Sequence, residues 1–221
     1  MTIVAVVIYN RFENLKRWLN AWRQCNKENA ELVIIHNYAN REDYKKYKQY
    51  CYERNVTYVP RQNIGFDIGA FQDVCLERLP GFNNEWDNLL WVVDDWIPMS
   101  KDFVSEYVKK LEEPGVGVAC TEISKEVITH IRTSGFCIKK ATSKLIKFPS
   151  TRVRDKGECY FFEHAGKEKT FLNQMLALRF KPAQVTKNIN QALLWDTEQW
   201  ARLKRMDEFN TLFNTYPSGK R

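Results

Sequence analysis

The segment from residue 3 to residue 22, IVAVVIYNRFENLKRWLNAW, decides the fold of this chain. Its first six residues form an unbroken apolar run, which is typical of a β-strand buried on both faces. Asn10 then stands where a helix cap is expected, with Glu13 three residues later, and leucine and tryptophan residues follow at helical spacing. The segment therefore predicts the first strand and the first helix of an α/β sheet.

The same alternation continues through the first half of the chain. Four more strands are predicted by apolar runs at 32–35, 56–59, 89–93 and 116–120. Three helices are predicted between them, at 43–54, 68–79 (capped by Asp67) and 103–111. This order predicts a mainly parallel sheet with helices on both faces. After about residue 125 the pattern loosens, and we expect a strand at 131–138, a helix at 167–178 and a last helix capped by Asp196.

Composition places the chain among ordinary globular proteins. Of its 221 residues, 44% are hydrophobic and 28% are charged, and no apolar run approaches the roughly 18 residues of a membrane span. The N-terminal apolar run has no basic leader, unlike a signal peptide. Six cysteines without a C-x-x-C pair favour a reducing compartment, so we expect a soluble cytoplasmic protein. The net charge of +7 permits an anionic partner, and a solvated basic face explains it equally well.

Polar residues follow three of the predicted strands, at the edge where open α/β sheets bind their ligands. The first strand is followed by Tyr9, Asn10 and Arg11, at a helix N-terminus whose N–H groups favour anions. The third strand is followed by RQNIGFDIG at 61–69, in which two glycines permit close backbone approach. Simple helix capping and a tight loop are the alternative explanations of these two segments.

The fourth predicted strand ends in two adjacent acids, Asp94 and Asp95. Adjacent carboxylates beside an apolar strand are costly to bury unless they bind something positive. A divalent metal with oxygen ligands is the usual solution. The alternative is that one acid caps the following turn while the other is solvated.

These three segments together resemble the family 2 glycosyltransferases, particularly the rhamnan-synthesis type. The matching residues are IVAVVIYNR with Asn14-Leu15, N-x-G-x-D-I-G at 63–69, and LWVVDD at 90–95 followed by Pro98. The resemblance covers roughly residues 1–145 and implies a Rossmann-like GT-A fold.

The resemblance also implies a metal-dependent glycosyltransferase with a nucleotide-sugar donor, most simply a UDP-sugar, and Mn²⁺ or Mg²⁺ on the donor's diphosphate. It implies a single catalytic domain over 1–221. The expected parts of this domain are a nucleotide-sugar-binding half, an acceptor-side half and a C-terminal helix, at 1–125, 126–195 and 196–214.

Roles for single residues follow from the same resemblance. Asp94 and Asp95 are expected to hold the metal, and His164 is a candidate to complete its ligand shell. Arg11 and Arg61 are candidate cations for the departing diphosphate.

The donor-binding set includes a departure from the family pattern. Asn37 stands where the family often carries an acid that contacts the nucleotide base, and its amide is expected to hydrogen-bond a base edge. The complete expected set is Tyr9, Asn10, Arg11, Asn37, Arg61, Asn63, Gly65, Asp67, Gly69 and Asp94.

An inverting sugar transfer also needs a general base at the acceptor hydroxyl. In the family this acid lies after the metal motif, where a helix opens. Glu168 fits that place and is the first candidate, and Glu163 is the second. A surface acid at a helix start is the alternative explanation for either.

The acceptor side carries the segment TSGF at 133–136, where the family contacts acceptor or sugar. Basic residues follow it at Lys139, Lys140, Lys144, Lys147, Arg152, Arg154 and Lys156. They suit either a phosphate backbone, hence a hydroxymethylated base in DNA as in phage DNA modification, or plain solvation beside a saccharide acceptor. A nucleotidyltransferase and a non-catalytic nucleotide- or nucleic-acid-binding domain are the alternative functions.

Overall fold

The computed structural model describes residues 1–27, 29–98, 100–124, 128–149, 159, 161–185 and 193–195. The predicted last helix at 196–214 and its cap Asp196 lie outside the described residues, as do Arg152, Arg154 and Lys156. Within the described part, a seven-stranded sheet with helices on both faces forms the centre of the molecule.

Eleven strands are found in the described residues. In chain order they are β1 Thr2–Ile8, β2 Ala30–Tyr38, β3 Thr57–Gln62, β4 Asn88–Val93, β5 Trp96–Pro98, β6 Val116–Cys120, β7 Ile123–Ser124, β8 His130–Ile131, β9 Gly135–Lys139, β10 Lys181–Gln184 and β11 Leu193–Trp195. The central sheet has the order β10-β6-β9-β4-β1-β2-β3.

Most neighbours in this sheet are parallel. β1 pairs in parallel with β2 and β4, β2 with β3, and β10 with β6. Within the seven described strands of the sheet, only β9 runs antiparallel, between β4 and β6. Two short antiparallel pairs, β5 with β11 and β7 with β8, lie outside the sheet. The predicted mainly parallel α/β sheet is therefore confirmed.

Six α-helices connect these strands in the described ranges. They are α1 Phe12–Arg23, α2 Arg41–Tyr52, α3 Phe66–Cys75, α4 Phe103–Glu112, α5 Lys140–Ser143 and α6 Phe171–Ala177. A π-helical turn at Phe161–Ala165 and a 3₁₀ turn at Lys167–Lys169 precede α6.

Strand β1 shows why the sheet is covered on both sides. Its alternate residues Ile3, Ala5 and Val7 belong to a core shared with α3 and α6, whereas the intervening residues belong to a second core shared with α1 and α4. All seven residues of β1 are buried. Side chains alternate across a strand, so an unbroken apolar run requires an apolar layer on each face.

Two of the three predicted helix caps, Asn10 and Asp67, are wrong. Asn10 adopts a left-handed conformation with φ 46°, and Arg11 occupies the N-cap position of α1 without a side-chain cap bond. Glu13 pairs with Lys16 instead of completing a capping box. At α3 the N-cap residue is Gly65, with φ 71°, so Asp67 lies within the first helical turn. There its negative charge still suits the positive end of the helix.

The second half of the chain departs further from the predicted elements. The strand expected at 131–138 is broken, because β8 leaves the sheet to pair with β7 and only β9 joins the centre. The helix expected at 167–178 begins as a 3₁₀ turn, and Thr170 then caps α6 by accepting a bond from the Asn173 N–H at 3.2 Å. No helix among the described residues is long and apolar enough to span a bilayer.

Candidate active site

Two neighbouring parallel strands bring the first and third predicted segments together. Val7 of β1 is the register partner of Val93 of β4, and the Asp94 N–H donates to the Val7 carbonyl at 3.0 Å. The residues that follow β1 and those that follow β4 therefore emerge side by side at the carboxyl edge of the sheet.

An acidic pair at this edge is held by the start of α1. The Arg11 guanidinium forms an ion pair with Asp95, and its Nη1 lies 3.5 Å from Asp94 Oδ1. Asn14, one turn further along, donates from Nδ2 to Asp94 Oδ2 at 3.3 Å and to Asp95 Oδ1 at 3.4 Å. Arg11, predicted as a cation for the diphosphate, thus lies beside the acids. The part played by Asn14 is not predicted, although its position three residues after Arg11 puts both on one helix face.

Both acids of this pair are largely shielded from solvent, and burial affects the ionisation of Asp94. The side chain of Asp94 is 8% exposed and that of Asp95 is 21% exposed. Burial, and then the charge of Asp95, raise the pKa of Asp94 to about 8, against the lowering effects of Arg11 and Asn14. Burial lowers the pKa of Arg11, but the two carboxylates outweigh it and raise that pKa overall. One guanidinium thus faces two acidic side chains, and further positive charge would favour the ionised form of Asp94.

The carboxylate oxygens of this pair suit a hard divalent cation whose remaining coordination positions are filled by a bound substrate and water. Asp94 and Asp95 offer carboxylate oxygens, and no third His, Cys, Asp or Glu joins them among the described residues. Mg²⁺ is commonly held in this way, by one or two carboxylates with substrate phosphates and water completing the octahedron.

Among the described residues, His164 does not form a metal-binding cluster with Asp94 and Asp95, and its role as a metal ligand stays a prediction. Its ring packs edge-on against His130, with ring centroids 5.3 Å apart. Burial and the nearby His130 and Arg132 lower the pKa of His164, against the raising effect of Glu163.

Arg61 and Asn37 form a buried support beneath the loop at 63–65, which joins β3 to α3. Arg61 donates from Nε and Nη2 to Asp73 Oδ2 at 3.1 and 2.7 Å, and from Nη1 to Asn37 Oδ1 at 2.8 Å. It also donates to the carbonyls of Ile64 and Phe66, and the Asn37 amide donates to Phe66 as well. These bonds engage both side chains within the protein. They support a structural role for Arg61 and Asn37, and the roles predicted for them, on the diphosphate and on the base, stay predictions.

Gly65 and Gly69 also allow this loop to pack closely against α3. A Cβ on Gly69 would overlap the Ile64 carbonyl oxygen, so the absent side chain lets the loop close against α3. Gly65 supplies the left-handed turn that starts α3, and its carbonyl accepts a bond from Cys159 Sγ at 3.3 Å. Asn63 and Asp67 are half-buried beside them. The glycines are explained by the loop itself, without a ligand.

Of the two candidate bases, the structure brings Glu163 towards the acids. Glu163 Oε1 accepts from the Thr133 N–H at 3.2 Å, and the carbonyl of the next residue, Ser134, accepts from Val93 at 2.9 Å. Val93 directly precedes Asp94, so Glu163 lies at the same edge. Glu168 is exposed on the 3₁₀ turn.

Three of the predicted basic residues, Lys139, Lys140 and Lys144, lie at the opposite edge of the sheet. Because β9 is antiparallel to β4, Lys139 pairs with Asn88 at the start of β4, while Gly135 pairs with Val92 near its end. The stretch of β9 from Gly135 to Lys139 covers about 14 Å. Lys140 and Lys144 both approach Glu77, at 3.1 and 3.8 Å. These lysines therefore do not line the edge that carries the acidic pair.

Comparison with known proteins identifies the fold. No family model and no curated protein matches the sequence. Among solved structures, a mannosyltransferase from Pyrobaculum calidifontis, solved with GDP-Man and Mn²⁺, superposes with a TM-score of 0.60 at 11% identity over 84% of this chain. S. aureus TarS 1–349 with UDP-GlcNAc gives a TM-score of 0.52 at 13% identity over 84% of this chain.

This chain has the GT-A glycosyltransferase fold. It spans 55% of the first of those structures and 56% of the second. The predicted GT-A architecture is confirmed, and the acidic pair lies at the carboxyl edge of its sheet.

The support role of Arg61 predicts a loss of stability that needs no ligand. Arg61→Gln should lower the free energy of unfolding by about 2 to 4 kcal/mol, because it leaves Asp73 and the Ile64 carbonyl without the donor that Arg61 supplies. Urea unfolding measures this, with Arg78→Gln as an exposed control that loses the same charge. Unchanged stability with weakened nucleotide binding would restore Arg61 as a diphosphate cation.

The raised pKa of Asp94 predicts how the free energy of unfolding of this chain, without metal, depends on pH. Its folded pKa is about 8 and its ordinary value is 3.8, so between those values the folded chain holds a proton that the unfolded chain has released. The free energy of unfolding should therefore fall as pH rises from about 4 to about 8. The slope should reach at most about 1.4 kcal/mol for each pH unit in that window.

Asp94→Asn should remove most of this fall and exceed the wild type in stability at about pH 8. Urea unfolding with a chelator present, repeated across this pH range, gives the comparison. Asp87→Asn changes an exposed acid whose pKa is lowered by the N-terminal amine, and it should retain the fall. An Asp94→Asn protein that is less stable than the wild type at every pH would contradict the assignment.

Proposed function

We propose that this chain is a metal-dependent glycosyltransferase that moves a sugar from a nucleotide sugar to a hydroxyl group of a saccharide. The single observation that carries the proposal is the buried pair Asp94 and Asp95 at the carboxyl end of β4, in a GT-A fold, with Arg11 beside it. Expelling a nucleoside diphosphate from a sugar develops negative charge, and this edge gathers the groups that would stabilise it.

Asp94 and Asp95 would hold the proposed cation, Mn²⁺ or Mg²⁺, through their carboxylate oxygens. Bound there, the cation would neutralise charge on the departing diphosphate. The Pyrobaculum calidifontis mannosyltransferase of similar fold was solved with Mn²⁺ and GDP-Man, which supports a divalent cation as the first one to test.

The donor is proposed to lie over the end of β1. Tyr9 is exposed, the N–H groups of the first turn of α1 begin there, and Arg11 carries the nearest described cation of this segment. One neighbour was solved with GDP-Man and another with UDP-GlcNAc, so the UDP- and GDP-sugars are the donors to test first. Asn37 is not proposed as the base-reading residue, because its amide is engaged by Arg61 and Phe66.

Glu163 is proposed as the general base that removes the proton from the acceptor hydroxyl. Its carboxylate is half-buried and accepts a bond from Thr133, in the segment between β8 and β9 that contacts the end of β4, whereas Glu168 is exposed on a separate turn. A base must reach the hydroxyl within hydrogen-bond distance, so position decides between two acids of the same chemistry.

A saccharide acceptor is preferred to DNA because of where the lysines lie. Lys139, Lys140 and Lys144 are at the amino end of β4, and Glu77 neutralises part of their charge. A duplex that followed them would run along the edge remote from Asp94 and Asp95. No other observation in the described residues points to a nucleic-acid acceptor.

The proposal predicts that nucleotide binding depends on the metal. UDP or GDP should raise the melting temperature by several degrees with Mn²⁺ present and by little with a chelator, because a ligand of the folded state stabilises it by mass action. Asp95→Asn should abolish the metal-dependent part and leave the fold intact. Asp87→Asn, which removes an exposed acid at the amino end of β4, serves as the control for general effects of acid removal. Equal stabilisation with and without metal would contradict the proposal.

The general base is tested separately by two matched substitutions. Glu163→Gln should lower the turnover number by about 100-fold or more while the melting shift with Mn²⁺ and nucleotide persists, since a base acts only in the chemical step. Glu168→Gln should change turnover by less than about threefold. The reverse ranking would return the role to Glu168, and two active variants would contradict an inverting mechanism with either acid.

A further inference from the structure

We propose that Arg11 is a built-in counter-ion, which occupies the cation site of Asp94 and Asp95 until a nucleoside diphosphate arrives and then transfers to the phosphates. This inference rests on the proposed function, because it concerns how the same acidic pair takes up its cation. It assigns Arg11 a gating role in addition to simple attraction of the donor.

The contacts of Arg11 coincide with those that a cation needs. Arg11 engages Asp94 Oδ1 and Asp95 Oδ1, and Asn14 engages Asp94 Oδ2 and again Asp95 Oδ1. Three carboxylate oxygens of the pair are thus already hydrogen-bonded or ion-paired. A divalent cation that used these oxygens would stand within a few ångströms of a guanidinium, where like charges repel strongly. Arg11 and the cation therefore compete.

Arg11 is the member of the cluster that is free to move. Its side chain is 44% exposed, whereas that of Asp94 is 8% exposed and fixed to the end of β4. Arg11 precedes the first turn of α1 and makes no side-chain cap bond to the helix. Its departure from the acids would leave α1 and the sheet unchanged.

A nucleoside diphosphate supplies the reason for Arg11 to leave. Phosphate oxygens offer a guanidinium the same bidentate geometry as a carboxylate, with more negative charge. With a diphosphate over the end of β1, Arg11 gains new partners as the acids gain the cation. Cation and diphosphate would then bind cooperatively, and each would strengthen the other by the same factor.

The test measures Mn²⁺ affinity by calorimetry on the full chain, without nucleotide and with saturating UDP, and with GDP in parallel. The variants are Arg11→Gln and the control Arg23→Gln. Arg23 is the exposed last residue of α1, so the control removes the same charge from the same helix, about 18 Å away along its axis. Arg11→Met, which keeps the apolar stem, repeats the test if the glutamine variant unfolds.

Without nucleotide, Arg11→Gln is expected to bind Mn²⁺ about tenfold more tightly than the wild type and Arg23→Gln. The factor by which UDP or GDP tightens Mn²⁺ binding should fall by a similar amount in Arg11→Gln alone. Each expectation follows from removing the competitor that the nucleotide normally draws away.

Equal Mn²⁺ affinities in all three proteins without nucleotide would overturn the counter-ion role. If nucleotide binding still required Mn²⁺, the proposed glycosyltransferase function would stand. Weaker Mn²⁺ binding by Arg11→Gln without nucleotide would overturn the inference in the same way. No Mn²⁺ binding by any of the proteins, with or without nucleotide, would overturn both the inference and the metal-dependent function.

Discussion

The parallel pairing of β1 with β4 is the constraint on which the candidate site depends. It brings the end of one apolar strand beside the end of another, so Arg11 and Asn14 face Asp94 and Asp95 across a sequence separation of about 80 residues. Helices on both faces of the sheet bury these strands, and the same burial makes the Asp94 carboxyl costly to ionise. The fold thus creates a demand for positive charge where its strands end.

This demand links stability to the proposed function. Asp94 is costly to ionise in the free protein, and a bound cation would favour its ionised form and stabilise the folded state. Arg11 meets the demand in part, from a side chain that is half in solvent. A donor with negatively charged phosphates would bind Arg11, and the fixed acidic pair would then be open to a divalent cation.

Local sequence patterns were sufficient to predict the sheet and the position of the acidic pair at its edge. The run ending at Ile8 and the run ending at Val93 are strongly apolar, and the polar residues after them are evident without a structure. Arg61 and Asn37 could not be predicted as partners, because they are 24 residues apart and meet only through the pairing of β2 with β3. Nor does the sequence show that β9 is antiparallel, which alone moves Lys139 to the far edge.

The central claim is that Asp94 and Asp95 bind a divalent cation together with a nucleoside diphosphate. An anomalous difference map, measured at the manganese edge on crystals of the full chain grown with Mn²⁺ and UDP or GDP, tests it most directly. The account predicts one strong peak at coordination distance from the carboxylate oxygens of this pair and from the diphosphate. A bound nucleotide with no manganese peak beside Asp94 and Asp95 would contradict it.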